Sequence, residues 1–329
     1  MSVLASVIVP VYNEEKYIAQ CISSIVDQDI PKDQLEVLFV DGRSRDNTRQ
    51  IIQSFAQKYP FILLLDNPAR IVPTAMNIGI KAARGTYVVR MDAHSTYERS
   101  YVSRCVDLLQ HDQADGVGGA MRARGFTYTS RAIAIAFQSI FGLGGGKFHN
   151  EKFEGYTDTV YLGAYKKQLL LDIGLYNENL VRNQDIELNS RIIRQGGTLY
   201  CSANIVSYYT NRDSLKKLWT QYFRTGEWNL YTSRVNKNAL SLRHFVPFLF
   251  VSFLLGFAIL SLFSSKIVPL LLLTIAVYLL CCIVFSVAAG LNYGLRFIPI
   301  LPAVFATLHV SYGVGGLAAL FRWFRGIYN

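Results

Sequence analysis

The sequence predicts an α/β protein with two parts: an N-terminal domain built on a mostly parallel sheet, and a C-terminal group of transmembrane helices. Three observations support this fold class. Apolar runs of strand length alternate with helical patterns through the first hundred residues, polar residues follow two of these strands, and three long apolar segments follow Glu227, the last carboxylate of the chain. Such alternation is typical of βαβ units, in which helices cover a parallel sheet.

The predicted elements of the first domain come in a regular order. Strands are predicted at 6–11, 35–40, 62–65, 87–91 and 114–121, with helices at 14–28, 48–59, 73–83 and 101–110. The pattern stops between Arg122 and Thr159, where a glycine-rich run precedes Lys147. Long stretches without elements are usually functional in a compact domain, so we expect a mobile flap over the site. The run is not a P-loop, because Phe148 stands where a Ser or Thr is required.

Hydropathy divides the chain into three stretches. We expect a folded domain at 1–230, a basic juxtamembrane segment at 231–244 and a membrane domain at 245–329. Spans are predicted at about 245–263, 267–289 and 297–320, since a helix needs about 20 apolar residues to cross a bilayer. The third segment carries Pro299, Pro302 and His309. A re-entrant segment after two spans therefore stays an alternative to three full spans, although three are favoured by length.

The charge distribution favours a membrane surface over nucleic acid. The net charge is +10, but the chain lacks a compact basic helix with interleaved aromatic residues, so we expect no nucleic-acid partner. Arg234, Lys237 and Arg243 precede the first predicted span and place the N-terminal domain on the cytosolic face by the positive-inside rule. The cysteines lack Cys-x-x-Cys spacing and the N-terminus lacks a signal-peptide pattern, which agrees with that face.

Two potential metal ligands, Asp92 and His94, follow the strand predicted at 87–91. In an open α/β sheet, ligands bind beyond the carboxyl ends of the strands. Asp and His two positions apart in an extended segment point the same way and can share a divalent cation, which suits a bound diphosphate. The mixed oxygen and imidazole set favours Mn²⁺ over Mg²⁺. The simpler alternative is a strand that stops at a polar loop.

The ends of the first two predicted strands carry further polar residues. The first leads into Pro10-Val11-Tyr12-Asn13-Glu14 without the Gly-x-Gly-x-x-Gly turn of dinucleotide folds, so NAD or FAD binding is not expected. The second ends at Asp41, beside the first loop. In the residues that follow, Asp46 or Asn47 would cap a helix whatever the function.

Five segments together resemble family 2 glycosyltransferases of the GT-A fold, a nucleotide-sugar-binding α/β fold. They are Pro10 to Glu14, Asp41 to Thr48, Arg84-Gly85, Asp92-Ala93-His94 and Gln184-Asp185-Ile186-Glu187. Within that family the chain is similar to bacterial exopolysaccharide transferases of the succinoglycan-glucosyltransferase kind. The resemblance implies that Pro10, Tyr12, Glu14 and Asp41 hold the nucleoside of a sugar donor. It also implies that Asp92 and His94 hold a metal on the diphosphate.

On the acceptor side, the resemblance implies that Asp185 is the base that takes the proton of the acceptor hydroxyl. Gln184 stands beside it where the family often has Glu, and Gly163 and Ala164 resemble the segment beneath the acceptor site. Without the other motifs, Asp185 would be read as an acid that complements a helix dipole, and Gly163 as part of a turn. Arg224 is expected to assist the leaving diphosphate.

The resemblance implies a membrane-anchored hexosyltransferase of the bacterial inner membrane with its catalytic domain in the cytosol. It would move a hexose from a nucleotide-sugar donor, expected to be a UDP-sugar, to a lipid-linked glycan in exopolysaccharide or capsule synthesis, with inversion. Two alternatives stay open. One is a processive polysaccharide synthase, which the half-present Gln221-Tyr222-Phe223-Arg224-Thr225 motif disfavours. The other is a catalytically inactive GT-A module that binds glycan or acts as a scaffold.

Overall fold

A computed structural model describes residues 3–326 of the 329-residue chain. Packing of the backbone divides the chain into two compact units. The first consists of Met1–Arg122 with Lys147–Thr210, and the second of Ala123–Gly146 with Asn211–Asn329.

The strands and helices alternate as predicted through the first hundred residues. The strands are β1 (Ala5–Val11), β2 (Leu35–Asp41), β3 (Ile62–Asp66), β4 (Tyr87–Arg90), β5 (Ser95–Tyr97), β6 (Gly116–Arg124), β7 (Gly155–Tyr156), β8 (Tyr161–Lys166) and β9 (Leu199–Thr210). The helices up to the predicted flap are α1 (Ile18–Val26), α2 (Thr48–Lys58), α3 (Val72–Ala82) and α4 (Tyr101–Gln110). The later helices are α5 (Tyr128–Gln138), α6 (Ile140–Leu143), α7 (Lys167–Asp172), α8 (Gln184–Arg194), α9 (Leu215–Val235), α10 (Val246–Ser261), α11 (Val268–Tyr293) and α12 (Leu301–Phe324).

One mixed sheet forms the centre of the first unit, in the order β3-β2-β1-β4-β8-β6-β9-β5, with β7 beside β9. β3, β2, β1 and β4 are parallel, whereas β8 runs antiparallel to both β4 and β6. The register pairs Val11 with Asp41 and Ile8 with Arg90, so β1, β2 and β4 end at the same edge. The predicted α/β fold is therefore confirmed, and the parallel part of its mixed sheet consists of β3, β2, β1 and β4.

The sheet is covered on both faces because its apolar side chains alternate along each strand. Val7 and Val9 of β1 belong to the core that α1 and α4 cover, and Ile8 belongs to the core on the side of α3 and α8. Strands buried on both faces read as continuous apolar runs, which is why they were visible in the sequence.

Residues 123–146, where the sequence favours a mobile flap, form α5 and α6 in the second unit. The interpretation as a flap is corrected for a physical reason. Thr127 and Ser130 make a capping box that starts α5, and Ile133, Ala136 and Phe137 are buried where α5 packs against α12. The Thr-x-x-Ser capping pattern before an apolar stretch was the signal in the sequence.

Three helices of the second unit are long and apolar enough to cross a membrane: Leu242–Ser261, Ser265–Tyr293 and Leu301–Phe324. The third begins four residues later than predicted, with Pro302 in its first turn. Proline is favoured there because the backbone N–H groups of the first turn have no partner within the helix. It is also the most buried of the three: 44% of its apolar stretch is buried, against 6% for each of the others.

α12 is buried because it packs closely along α9. A Cβ at Gly226 would come within 1.9 Å of the Tyr312 carbonyl oxygen, and one at Gly315 within 1.9 Å of the Phe223 carbonyl oxygen. These reciprocal glycines allow backbone to approach backbone. Packing therefore groups residues 211–230 with the membrane helices, whereas the sequence boundary had placed them in the first domain.

Candidate active site

The loop after β1 is fixed by hydrogen bonds to the loop after β2. Ser44 Oγ accepts the Asn13 N–H at 2.9 Å, Asn13 Oδ1 accepts the Arg45 N–H at 2.9 Å, and Thr48 Oγ1 accepts the Glu14 N–H at 2.7 Å. Asn13 has φ +54°, a left-handed conformation that Asn tolerates well. The Tyr12-to-Glu14 segment is thus held in one shape by side chains of the second loop.

Asp41 is fully buried at the end of β2 and organises that second loop. Its carboxylate accepts the Ser44 N–H at 3.1 Å and the Ser44 hydroxyl at 2.5 Å. It also accepts a bond from Arg49 at 2.7 Å, and the same guanidinium reaches Asp66 at 2.6 Å. Asp41 does not line the cleft beside it.

That cleft has a volume of about 160 Å³ and lies beyond the ends of β1, β2 and β4. Five residues predicted from the sequence line it: Pro10, Tyr12, Glu14, Asp92 and His94. Sequence reasoning missed three polar side chains that also line it: Asn67, Arg70 and Arg90. The Asn67 side chain is 2% exposed, and its Oδ1 has no hydrogen-bond partner among residues 3–326.

Asp92 and His94 lie on a tight turn after β4, whereas the sequence suggested an extended segment. The Ser95 N–H bonds to the Asp92 carbonyl at 3.2 Å, and the Tyr97 hydroxyl accepts the Asp92 N–H at 2.6 Å and donates to its carbonyl at 3.1 Å. His94 Nδ1 is 3.2 Å from Glu14 Oε1. The turn still directs both side chains into the cleft, where they are 19% and 31% exposed.

Arg90, the last residue of β4, joins the two carboxylates of the site. Its guanidinium donates to Asp92 Oδ1 from Nε at 3.2 Å and from Nη2 at 3.1 Å, and its Nη1 donates to Asp185 Oδ1. Burial alone would lower the pKa of Arg90, but the charges of Asp185 and Asp92 raise it well above its usual value. A permanently charged guanidinium therefore lies between them.

Asp185 stands in the first turn of α8, after Asn183 at φ +60°. Burial raises the pKa of its carboxyl, and the nearby charge of Arg90 opposes that rise. The side chain remains 29% exposed. Gln184 beside it is 7% exposed, and its Oε1 has no partner among the described residues.

Residues 3–326 contain no cluster of three or more His, Cys, Asp and Glu side chains that could hold a metal by itself. A cation carried by a diphosphate needs fewer protein ligands, since phosphate oxygens and water complete the set. The carboxylate of Asp92 and the imidazole of His94 face one cleft and match the donors that Mn²⁺ accepts. The residues present therefore fit a diphosphate-bound cation.

Three other predicted site residues, Gly163, Ala164 and Arg224, do not line this cleft. Gly163 and Ala164 lie within β8 rather than in a turn, and Ala164 pairs with Val89 of β4. Arg224 is an exposed residue of α9, in the second unit.

Two curated proteins resemble this chain over most of its length. The dolichyl N-acetyl-alpha-D-glucosaminyl phosphate 3-beta-D-2,3-diacetamido-2,3-dideoxy-beta-D-glucuronosyltransferase of Methanococcus voltae is 31% identical over 229 residues, covering 67% of this chain and 71% of that protein. Succinoglycan biosynthesis protein ExoA of Rhizobium meliloti (strain 1021) is 26% identical over 311 residues, or 94% of this chain and 92% of that protein. The second similarity is long enough to include the membrane helices.

Solved structures show the same fold. The mannosyltransferase PcManGT from Pyrobaculum calidifontis, in complex with GDP-Man and Mn²⁺, has a TM-score of 0.61 at 20% identity, covering 96% of this chain and 88% of that one. S. aureus TarS 1-349 in complex with UDP-GlcNAc has a TM-score of 0.54 at 17% identity, covering 98% and 92%. The family model for glycosyl transferase family 2 matches residues 6–173. The chain is thus a glycosyltransferase and belongs to glycosyl transferase family 2.

Proposed function

We propose that this glycosyltransferase moves a hexose from a UDP-sugar to a lipid-linked glycan at the cytosolic face of the membrane, in exopolysaccharide or capsule synthesis. One observation carries the proposal. The buried Arg90 guanidinium bonds both Asp92, which lines the cleft beyond the parallel strands, and Asp185, which stands outside it at the start of α8. A donor-side and an acceptor-side carboxylate are thereby held at the two ends of one cation.

The nucleoside would bind in the cleft between the β1 and β2 loops. Pro10 and Tyr12 supply an apolar and aromatic wall, and Glu14 supplies a carboxylate. The unpartnered Oδ1 of Asn67 can accept an N–H from a base. Asp41 supports this arrangement indirectly, by fixing the loop that fixes residues 12 to 14. Of the two structural neighbours, one binds a uridine and one a guanosine sugar, so the choice of base needs a direct test.

Asp185 would act as the general base. Its carboxylate removes the proton of the acceptor hydroxyl while that oxygen attacks the anomeric carbon, and the bond to the nucleoside diphosphate breaks on the opposite side, which inverts the centre. The raised pKa of Asp185 makes it a stronger proton acceptor than an ordinary aspartate. Arg90 keeps enough of the carboxylate ionised and fixes its orientation.

Asp92 and His94 would hold the divalent cation, with Mn²⁺ preferred over Mg²⁺. The cation would supply positive charge to the oxygens of the departing diphosphate. Glu14 sits against His94 Nδ1 and so sets the ring orientation, in the way that carboxylates commonly position metal-binding imidazoles. We assign Arg224 a second role in neutralising the leaving group, on the family resemblance alone.

The acceptor side would be formed by Gly163, Ala164 and Gln184. The unpartnered Oε1 of Gln184 can accept a hydrogen bond from a sugar hydroxyl. A lipid-linked acceptor is supported by the three candidate spans and by the relative whose name includes dolichyl N-acetyl-alpha-D-glucosaminyl phosphate. Exopolysaccharide synthesis is supported by the succinoglycan protein, which is similar over nearly the whole chain.

We assign the protein to the bacterial inner membrane with its catalytic unit in the cytosol, an orientation that Arg234, Lys237 and Arg243 before the first candidate span support. Three full spans would place the C-terminus outside, and two spans with a re-entrant α12 would place it inside. A reporter fused after Asn329, which lies outside the described residues, distinguishes the two. The end of α12 contacts α9 through the Glu227–Arg322 ion pair and the Arg234–Trp323 contact, on the side of the basic residues that precede the first span, so we expect an internal C-terminus.

Membranes that contain the protein, incubated with a panel of radiolabelled nucleotide sugars, test the whole proposal. We expect label from one UDP-hexose in the organic extract, on a lipid that has gained a single sugar. Label in long polymer would instead indicate a processive synthase. Transfer from a GDP-sugar, or label confined to water-soluble product, would contradict the donor or the acceptor respectively.

A further inference from the structure

The second unit contains a cleft of about 460 Å³ that the transfer chemistry does not use. Three guanidiniums line it: Arg124 after β6, Arg131 on α5, and Arg296 in the short connection between α11 and α12. None of its lining residues is acidic. Arg131 and Arg296 form no ion pair with any residue between 3 and 326.

The walls of this arginine cleft are held together by specific contacts. The Tyr128 hydroxyl donates to the Arg296 carbonyl at 2.5 Å, and the Tyr128 ring stacks on Phe297 with centroids 5.4 Å apart. Arg131 Nε donates to the Gly125 carbonyl at 3.3 Å. The Arg296 guanidinium lies over the Phe297 ring, 4.9 Å from its centroid. The Arg131 and Arg296 guanidiniums are therefore positioned by a backbone carbonyl and an aromatic ring respectively.

The position of Arg296 places the cleft at a membrane–water boundary, because it connects two candidate spans. Exposed aromatic side chains surround it, as is common at such boundaries: Phe126 is 74% exposed and Tyr293 is 51% exposed. Ile135 and Phe297 give the cleft apolar surface beside its cations. Guanidiniums bind phosphate bidentately, and the apolar walls suit the first part of a hydrocarbon chain.

We propose that the arginine cleft binds the diphosphate of the polyprenyl lipid that carries the acceptor glycan. This rests on the proposed function, since it names the lipid class of its acceptor. A polyprenyl diphosphate matches the cleft in both respects, with a multiply charged headgroup for the arginines and an apolar chain that continues into the bilayer. An ordinary anionic phospholipid carries a single phosphate charge and engages three guanidiniums less fully.

The test uses full-length protein in phosphatidylcholine nanodiscs, titrated with farnesyl diphosphate and followed by calorimetry. We expect saturable binding by the wild type. The double substitution Arg131→Gln with Arg296→Gln should weaken it about hundredfold, since each charge-assisted bond contributes about tenfold in affinity. Lys266→Gln is the matched control, because Lys266 is an exposed base in the other connection between candidate spans and should leave binding unchanged.

Three results would overturn the site. They are wild-type affinity in the double variant, equal binding of farnesol, which lacks the diphosphate, and loss of farnesyl diphosphate binding when the protein is reconstituted in nanodiscs rich in phosphatidylglycerol. Full recovery by Arg131→Lys with Arg296→Lys would also count against it, because lysine cannot make the bidentate contact. We expect the affinity of the lysine pair to exceed that of the glutamine pair by less than tenfold, which is at most half of the lost binding free energy.

Donor hydrolysis by the wild-type protein, measured without acceptor, separates this inference from the proposed function. Hydrolysis of a nucleotide sugar together with arginine-independent lipid binding would contradict the arginine cleft as a lipid site but agree with the transfer function. Arginine-dependent binding by a protein that neither hydrolyses nor transfers any donor sugar would keep the site and remove the function.

Discussion

The two ends of the Arg90 guanidinium lie in different surroundings, although each bonds an aspartate. Asp92 is on a turn that Tyr97 clamps through the backbone, and it faces the cleft beside His94. Asp185 begins a helix, and burial raises the pKa of its carboxyl against the opposing charge of Arg90. The Arg90 guanidinium therefore bonds one carboxylate that faces a cleft beside an imidazole and another whose pKa is raised by burial.

This difference suggests how one site can keep two carboxylates in separate roles. Two aspartates close together would raise each other's pKa, and the buried cation between them limits that effect. The role of each is then set by what else it touches. Asp92 lines a cleft that His94 also lines, whereas Asp185 is partly desolvated and 29% exposed.

Asp185→Asn tests the acceptor end and should have the largest effect. Loss of a general base costs about 10²–10⁴ in turnover, whereas nucleotide affinity should be nearly unchanged. Asp172→Asn, an exposed carboxylate on α7, is the control for a change of charge in the same unit. Turnover is measured with saturating donor and acceptor. Near wild-type transfer by the Asn variant would show that the base lies elsewhere.

Asp92→Asn tests the donor end. We expect activity to need a divalent cation, to be higher with Mn²⁺ than with Mg²⁺, and to fall about 10²–10³-fold in the variant, because preorganised charge on the leaving group is lost. The apparent affinity for Mn²⁺ in the presence of nucleotide should fall as well, and this is measurable without turnover. Full activity in EDTA would contradict the cation assignment.

Arg90→Met tests the connection itself. Because Arg90 bonds the proposed metal ligand Asp92, its loss should lower activity about 10–100-fold. Arg90 lowers the pKa of Asp185, so its loss raises that pKa further, and the acid limb of the turnover profile should move to higher pH. Arg90→Lys keeps the charge and should leave the limb near its wild-type position.

A purely structural role for Arg90 would give a different result. Activity would then fall in proportion to the folded fraction in both variants, with no shift of the pH limb. Thermal unfolding measured beside the pH profiles separates the two cases, because Arg90 is 7% exposed and its removal from the interior also affects stability.

The parallel half of the sheet could be predicted closely from the sequence, because its strands and helices have distinct periods. The helix from Tyr101 to Gln110 was placed to the residue, and the strand ends led directly to Asp41 and Asp92. Arg90 was missed because a single basic residue at the end of an apolar strand has no spacing signal. Its importance depends on α8, which follows almost a hundred residues later in the chain.

The second unit was harder to predict because its elements are distant in sequence. Nothing local indicates that residues 128–143 pack against α12, and the reciprocal glycines of α9 and α12 are nearly ninety residues apart. An ion pair between Glu227 and Arg322 adds to that packing. Hydropathy alone predicts that a truncation after Arg243 leaves the preceding fold intact, but the truncation would remove α12, against which α5 and α9 pack.

His94→Asp makes the smallest expected change and sharpens the comparison at the donor end. An aspartate restores an all-oxygen ligand pair, so the ratio of Mn²⁺-supported to Mg²⁺-supported activity should fall about tenfold. Acidification protonates imidazole and displaces the metal, so the variant should also lose less activity as the pH falls. Both are measured by assaying the two proteins with each cation across a pH series. Because Asp185 is unchanged, its own acid limb should persist in the variant, and only the part that saturating Mn²⁺ suppresses belongs to His94. If the cation ratio and the Mn²⁺-sensitive part of the profile are the same in both proteins, His94 is not a ligand, and its contact with Glu14 serves only to shape the loop.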